Sequence, residues 1–213
     1  GEKVYITSAE YAGLFVVWAV TDPDAPKGKG ISCFLVEAGT PGLSIGKAER
    51  KLGQHGSATN TVHFDGCRVP ASALMGRLND GFRVAVGELA GGRIGVASLS
   101  LGIARAAMDA AKAYVKERRQ FGQAIADFQG IQWMVADRET ELEAARLLIL
   151  SAAAKKDRGE PFGREASMAK LFASEAAGRA TDTALQLHGG AGYCADFPAE
   201  RHLRDARITR IYE

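Results

Sequence analysis

Gly91-Gly92-Arg93 lies inside a long stretch that reads as helix, where each glycine costs about 1 kcal/mol relative to alanine. Two explanations stay open: a closely packed neighbour, or a ligand that must approach the backbone. Further on, Glu117-Arg118-Arg119-Gln120-Phe121-Gly122 puts a doubled arginine at the predicted end of that helix. Positive charge there suits the helix dipole as a plain cap, and it also suits a phosphate clamp. A third cluster, Gln186-Leu187-His188-Gly189-Gly190-Ala191-Gly192-Tyr193, closes another helix with several glycines. Ordinary C-caps share that pattern with loops that admit a flat ligand or a phosphate. His188 is a base or ligand in the second case and a packed helix-end residue in the first. Arg201, Arg204, Asp205, Arg207 and Arg210 read as an ion-paired, solvated charge run. Cys33, Cys67 and Cys194 are odd in number and far apart, without a C-x-x-C or a histidine at metal spacing. They read as buried or idle thiols of a reducing compartment, and no metal site is expected.

The elements that must position these residues change character along the chain. Up to about residue 70, short apolar runs rich in Val, Ile, Phe and Thr alternate with turn formers. Val4 to Thr7, Leu14 to Val20, Ile31 to Glu37, Leu43 to Lys47 and Thr59 to Phe64 have strand length, which predicts four to six antiparallel strands. After Val69-Pro70 the chain becomes Ala-rich with almost no proline. Ile94, Ala97, Leu101, Ala104, Met108, Ala111 and Val115 recur at spacings of three and four, one face of a helix from about Gly81 to Arg118. A second stripe runs through Ile131, Val135, Leu142, Ala145, Ile149 and Ala152 and stops near Arg158-Gly159-Glu160-Pro161. A third helix runs from near Gly163 to His188, and a short fourth covers Pro198 to Arg207. Three long helices on short loops predict antiparallel neighbours in a bundle. The small residues along them suit either an ordinary bundle or packing between subunits.

The chain has 213 residues, 46% hydrophobic and 24% charged, with 27 Lys+Arg against 25 Asp+Glu. This is globular composition. The basic residues are interleaved with acidic ones, so nucleic-acid binding has no electrostatic support. No run is expected to reach the roughly 18 to 20 apolar residues that span a bilayer, and the N-terminal residues do not form a signal peptide.

Taken in order, these residues resemble the acyl-CoA dehydrogenase family. The resemblance is carried by Tyr5-Ile6-Thr7-Ser8, Gly30-Ile31-Ser32, Thr40-Pro41-Gly42-Leu43-Ser44, Lys51-Leu52-Gly53, Phe64-Asp65 with Arg68-Val69-Pro70, and Gly92-Arg93-Ile94. It continues through Arg118 with Phe121-Gly122, Phe128-Gln129, Met168-Ala169-Lys170, the Gln186 to Tyr193 run, and Arg204-Asp205-Ala206-Arg207-Ile208 with Ile211-Tyr212-Glu213. The implied fold is α+β: part of an antiparallel β-barrel-like domain (1–75) followed by an up-down four-helix bundle (76–213) whose final helix is missing. On this reading the chain is a fragment of a longer flavoenzyme.

The resemblance implies FAD held in a cleft and across a subunit interface of a homodimer or homotetramer. Tyr5, Ile6 and Thr7 match the strand beside the isoalloxazine, with tyrosine where the family commonly has tryptophan. Arg118, Phe121 and Gln129 match positions reaching the FAD of a partner subunit, and Gln186, Leu187, His188, Gly189 and Gly190 match the loop along its adenosine and pyrophosphate. Glu213 matches the carboxylate that removes the α-proton of an acyl-CoA. The alternative base position on the first long helix is occupied by Gly92, which cannot serve. Gly92, Arg93 and Tyr212 fall on the substrate side, with Ala90 where short- and branched-chain members often carry Asp or Asn. The implied reaction is dehydrogenation of a short, medium or branched acyl-CoA to a trans-2-enoyl-CoA, with electrons passed to an electron-transfer flavoprotein. That would place the enzyme in fatty-acid β-oxidation or branched-chain amino-acid catabolism. The Ala-rich composition favours the bacterial cytoplasm, with the mitochondrial matrix second. Alternatives are an oxygen-using flavin oxidase or monooxygenase of the same fold, and a helical interaction fragment that has lost FAD.

Overall fold

The computed structural model describes residues 1–213, which form two compact units, Gly1–Glu88 and Leu89–Glu213. The first carries β1 (Glu2–Thr7), β2 (Leu14–Val20), β3 (Ile31–Glu37), β4 (Leu43–Ala48), β5 (Thr59–Phe64) and β6 (Leu74–Met75). All pairings are antiparallel, in two three-stranded sheets of order β1-β5-β4 and β2-β3-β6. Phe15, Val36 and Val62, from three different strands, are buried in one cluster with Ala9, and Ile45 and Phe64 pack against it. The two sheets therefore bury their apolar faces against each other, and β-branched residues suit that half-buried pleat.

Strand β5 is central in its sheet, and this explains its weak alternation. Thr59 and Asn60 are both buried there. The Asn60 side chain is tolerated because its Nδ2 donates to the Gly46 carbonyl at 3.1 Å and to Glu10 Oε2 at 3.3 Å. Strand β1 is irregular: its register with β5 shifts between Lys3 and Ile6, and Tyr5 between them has φ 59°. That bulge turns the Tyr5 ring outward, 74% exposed.

The helical part consists of α1 (Gly81–Glu117), α2 (Gln129–Asp157), α3 (Gly163–His188) and α4 (Ala199–Ala206). Of the expected α1 stripe, Ala97, Ala104, Met108, Ala111 and Val115 are buried, and Ile94 and Leu101 pack beside them. From α2 come Leu142, Ala145, Ile149 and Ala152, and from α3 Ala169, Ala173, Ala177, Ala180, Ala184 and Leu187. Alanine at facing positions lets the axes of α2 and α3 approach closely. Buried hydroxyls are satisfied within their own helices: Thr181 Oγ1 donates to the Ala177 carbonyl and Ser100 Oγ to that of Val96, each at 2.8 Å.

One expectation is corrected. Helix α1 is long and apolar enough, by length and composition, to cross a membrane. The apolar character that the sequence reading missed comes from its Ile, Val, Leu and Ala residues, interrupted by few charges, and its Ala97 to Val115 face is buried against α2 and α3. A core helix of a soluble protein satisfies the same measure.

Candidate functional site

A cleft of about 850 Å³ opens in the helical unit where α1 ends, α2 begins and α3 ends. After α1 the chain makes a two-residue hairpin between β7 (Arg119–Gln120) and β8 (Gln123–Ala124). Its central residues, Phe121 and Gly122, have φ 51° and 85°, the positive pair that a type I′ turn requires. The hairpin is closed by Ile125 N–H donating to the Arg118 carbonyl at 2.8 Å. Phe121 is consequently 93% exposed and meets only the edge of Phe128, with ring centroids 6.3 Å apart.

On the opposite wall α3 stops because Gly189 takes φ 60°. The following turn folds back so tightly that a Cβ on Gly192 would lie 2.6 Å from the Leu185 carbonyl oxygen and 2.8 Å from His188 Cβ. A Cβ on Gly189 or Gly190 would meet nothing within 4 Å. His188 is buried, its Nδ1 donating to the Ala184 carbonyl at 2.7 Å. Its ring stacks on Tyr114 at 4.5 Å, with Phe197 near both.

Arg118, Phe121, Gln186, Leu187, His188, Gly189 and Gly190 all line this cleft. Gln129 does not line it; it is the first residue of α2, between the lining residues Phe128 and Gly130. The walls are mostly apolar, with one uncommitted guanidinium, that of Arg118, and a glycine-opened backbone. Such a cleft fits a ligand that is flat at one end and anionic at the other, as the adenosine diphosphate part of FAD is. Tyr5, Ile6 and Thr7 stay together on β1 of the first unit, Ile6 packed against its core and Tyr5 and Thr7 exposed.

A second group of residues gathers at Gly92. The Glu213 carboxylate lies so near the α1 backbone that a Cβ on Gly92 would be 3.1 Å from Oε2 and 3.3 Å from Oε1. Arg93 Nε donates to the Glu213 carbonyl at 3.3 Å, and its Nη1 donates to Ser167 Oγ at 2.9 Å. Ser167 in turn donates to the Gly163 carbonyl at 2.8 Å. Burial, and secondly the charge of Glu213, push the Tyr212 phenol above its ordinary pKa. Glu213, with Tyr212 beside it in the chain, is thus brought against Gly92 and Arg93 from the other end of the helical sequence. The glycine at 92 is explained by a carboxylate of this chain, whereas Gly91 faces only Lys156 Nζ at 3.3 Å.

Sequence reasoning missed Arg210, Glu175 and Ser167 as residues that hold this corner. Arg210, read as part of a solvated charge run, reaches α3 and pairs with Glu175, Nε to Oε1 at 2.9 Å. It passes over Gly178, where a Cβ would lie 3.3 Å from Arg210 Cδ and Nη1. The unexplained glycine inside α3 was the available signal. Ser167 gave none. No group of three or more His, Cys, Asp or Glu side chains comes together as a metal site, and the three cysteines are free, with Cys33 buried and Cys194 exposed.

Comparison with known proteins places residues 79–213 in the family described as acyl-CoA dehydrogenase, C-terminal domain, and residues 1–67 in acyl-CoA dehydrogenase, middle domain. The chain is 50% identical over 214 aligned residues to an acryloyl-CoA reductase (NADH) of Anaerotignum propionicum, covering 100% of this chain and 54% of that protein. A solved structure described as an electron transferring flavoprotein of Acidaminococcus fermentans matches with TM-score 0.97 and 48% identity, over 100% of this chain and 56% of that one. Butyryl-CoA dehydrogenase of Megasphaera elsdenii matches with TM-score 0.97 and 45% identity, over 100% and 56%. The chain spans about half the length of the relatives it matches.

Proposed function

Because this chain belongs to the acyl-CoA dehydrogenase family, we propose that it provides the base and part of the FAD-binding surface of an enzyme that converts an acyl-CoA to its trans-2-enoyl-CoA. The observation that carries this reading is the Glu213 carboxylate set against the side-chain-free backbone of Gly92, with Arg93 holding the Glu213 carbonyl. A proton α to a thioester is only weakly acidic. Its removal needs a carboxylate that gains basicity as acyl-CoA displaces water from around it. Glu213 takes that proton, and Gly92 leaves it room on the α1 side, with Tyr212 next to it in the chain on the substrate side.

Bound FAD supplies the acceptor for the hydride leaving the β-carbon. Arg118 offers a permanent cation to the pyrophosphate of FAD bound by a second copy, and the Gly189-Gly190 backbone leaves space alongside it, with Gln186, Leu187 and His188 forming the wall. Phe121, at the tip of its hairpin, and Gln129 reach toward cofactor bound by a second copy, which makes the enzyme a homodimer or homotetramer. Tyr5, Ile6 and Thr7 lie beside the isoalloxazine in this reading.

The substrate class is a short to medium or branched acyl-CoA, and the electrons pass to an electron-transfer flavoprotein. The likeness to butyryl-CoA dehydrogenase and to the Acidaminococcus structure supports both. The bacterial cytoplasm is the proposed location. Anaerobic titration of the full-length protein with acyl-CoAs of graded length, following loss of flavin absorbance, tests the reading. Glu213→Gln is expected to abolish bleaching, and bleaching at an unaltered rate refutes the base assignment. The acryloyl-CoA relative supports a second reading, in which the same residues work in reverse and Glu213 protonates the α-carbon of an enoyl-CoA. Oxidation of NADH driven by an enoyl-CoA distinguishes it.

A further inference from the structure

Glu213 lies on the segment that leaves α4. It follows α4 as a single 3-10 turn, Arg207–Arg210, anchored by the buried Thr209, whose Oγ1 donates to the Ala206 carbonyl at 2.8 Å. Beyond it the Ile211 and Tyr212 N–H groups both return to the Ile208 carbonyl, at 2.8 and 3.3 Å. What ties the turn sideways is Arg210, three residues before Glu213. Its guanidinium grips Glu175 through two atoms, Nε to Oε1 and Nη2 to Oε2, each at 2.9 Å. The stem of Arg210 passes 3.3 Å from where a Cβ of residue 178 would be, so Gly178 on α3 keeps its path open.

We propose that Glu175 and Arg210 are positioning residues for the Glu213 carboxylate, a role that rests on Glu213 being the base. A forked pair fixes the plane of the guanidinium as well as its distance, and so fixes the direction in which the chain leaves residue 210. The second anchor comes from the same helix, because Ser167 of α3 holds Arg93 and Arg93 holds the Glu213 carbonyl. Helix α3 thus braces the base-bearing segment at two points, Ser167 and Glu175, eight residues apart. A half-exposed ion pair adds little to global stability. Its effect falls on the placement of the base, and turnover and stability separate.

The test uses the full-length, flavin-loaded protein with butyryl-CoA as probe, comparing Glu175→Gln, Arg210→Gln, Gly178→Ala and the charge swap Glu175→Arg with Arg210→Glu. Misplacing a reacting group by a fraction of an ångström is expected to lower kcat about 5- to 20-fold in both Gln variants, with KM changed less than about twofold. Amide exchange across residues 207–213 is expected to rise about tenfold while the rest of the bundle keeps its protection. Gly178→Ala keeps both charges and is expected to reproduce the loss by displacing the Arg210 stem, and the swap restores protection. Unchanged kcat and unchanged exchange in both Gln variants overturn the proposal. So does a fall in kcat matched by exchange across the whole bundle, which marks plain destabilisation. Glu213→Gln is measured in parallel: retained turnover there removes the base reading, while the exchange data still decide whether Arg210 and Glu175 hold the segment.

Discussion

Replacing Gly92 by alanine sets two effects of opposite sign against each other. Gly92 is inside the 37-residue helix α1, where exchanging glycine for alanine stabilises by about 0.5–1 kcal/mol through backbone entropy. For a chain of this size that raises Tm by about 1–4 °C. The new Cβ would stand 3.1 Å from Oε2, 3.3 Å from Oε1 and 3.4 Å from Cδ of Glu213. Those atoms end a flexible side chain, so the carboxylate retreats by a few tenths of an ångström at small energetic cost to the fold. For a base aligned on an α-proton, such a retreat is expected to lower kcat about 10-fold, equivalent to about 1.4 kcal/mol of barrier. Thermal unfolding and stopped-flow flavin reduction of the full-length protein read the two effects separately. Gly95→Ala is the control, because a Cβ there meets nothing within 4 Å; it is expected to raise Tm alone. If Gly92→Ala leaves kcat at the wild-type value, or lowers Tm, the reasoning that ties this glycine to the carboxylate is refuted.

Arg118→Gln removes the cleft's free guanidinium and is expected to weaken FAD binding about 10- to 100-fold, the value of one or two charge-assisted hydrogen bonds, as read by flavin fluorescence on release. Burial, helped by Arg201 and opposed by Asp205, holds the His202 imidazole below its ordinary pKa. The unfolded chain therefore takes up that proton first, and stability present above about pH 6.5 is lost as pH falls through the folded value. His202→Gln should flatten urea midpoints between pH 7 and 5; an unchanged slope contradicts this. Ala180→Leu inserts a large side chain at a fully buried position and is expected to cost about 1–3 kcal/mol by overpacking, measured by denaturant unfolding.

The helical part was the most legible in the sequence, because its periodicity and stop signals are local. Gly163 and His188 bound α3 as expected, and Arg158-Gly159 follows α2 directly. The strands were legible as segments, but their partition into two three-stranded sheets depends on pairings such as Lys3 with Val62 that no local pattern records. Buried Asn60 illustrates the difficulty: a polar residue reads as surface, and only its long-range bonds to Gly46 and Glu10 make it interior. At the candidate site, glycines inside a helix brought Gly92 and Arg93 into view, and the resemblance to the acyl-CoA dehydrogenase family brought Glu213. The brace from Glu175 did not appear, because an arginine in a charge run looks the same whether it faces water or another helix. The tight hairpin at Phe121 was equally hidden, since phenylalanine is an unusual choice for a left-handed turn position.

The interior of the bundle is built from alanines with few larger residues, chiefly Met108, Val115, Leu142, Ile149 and Leu187. Cores elsewhere can exchange volume between neighbours, one side chain shrinking as another grows. An alanine has no methylene to give up, so an enlargement at Ala104, Ala145 or Ala177 finds almost no neighbour able to compensate. Variation in this half of the chain is therefore steered to its outer faces, and distant relatives should differ there while keeping the inter-helix spacing almost fixed. The same packing sets the distance between α1, with Gly92, and α3, with Glu175, so the tolerance of the geometry proposed around Glu213 is inherited from the smallest side chains in the protein.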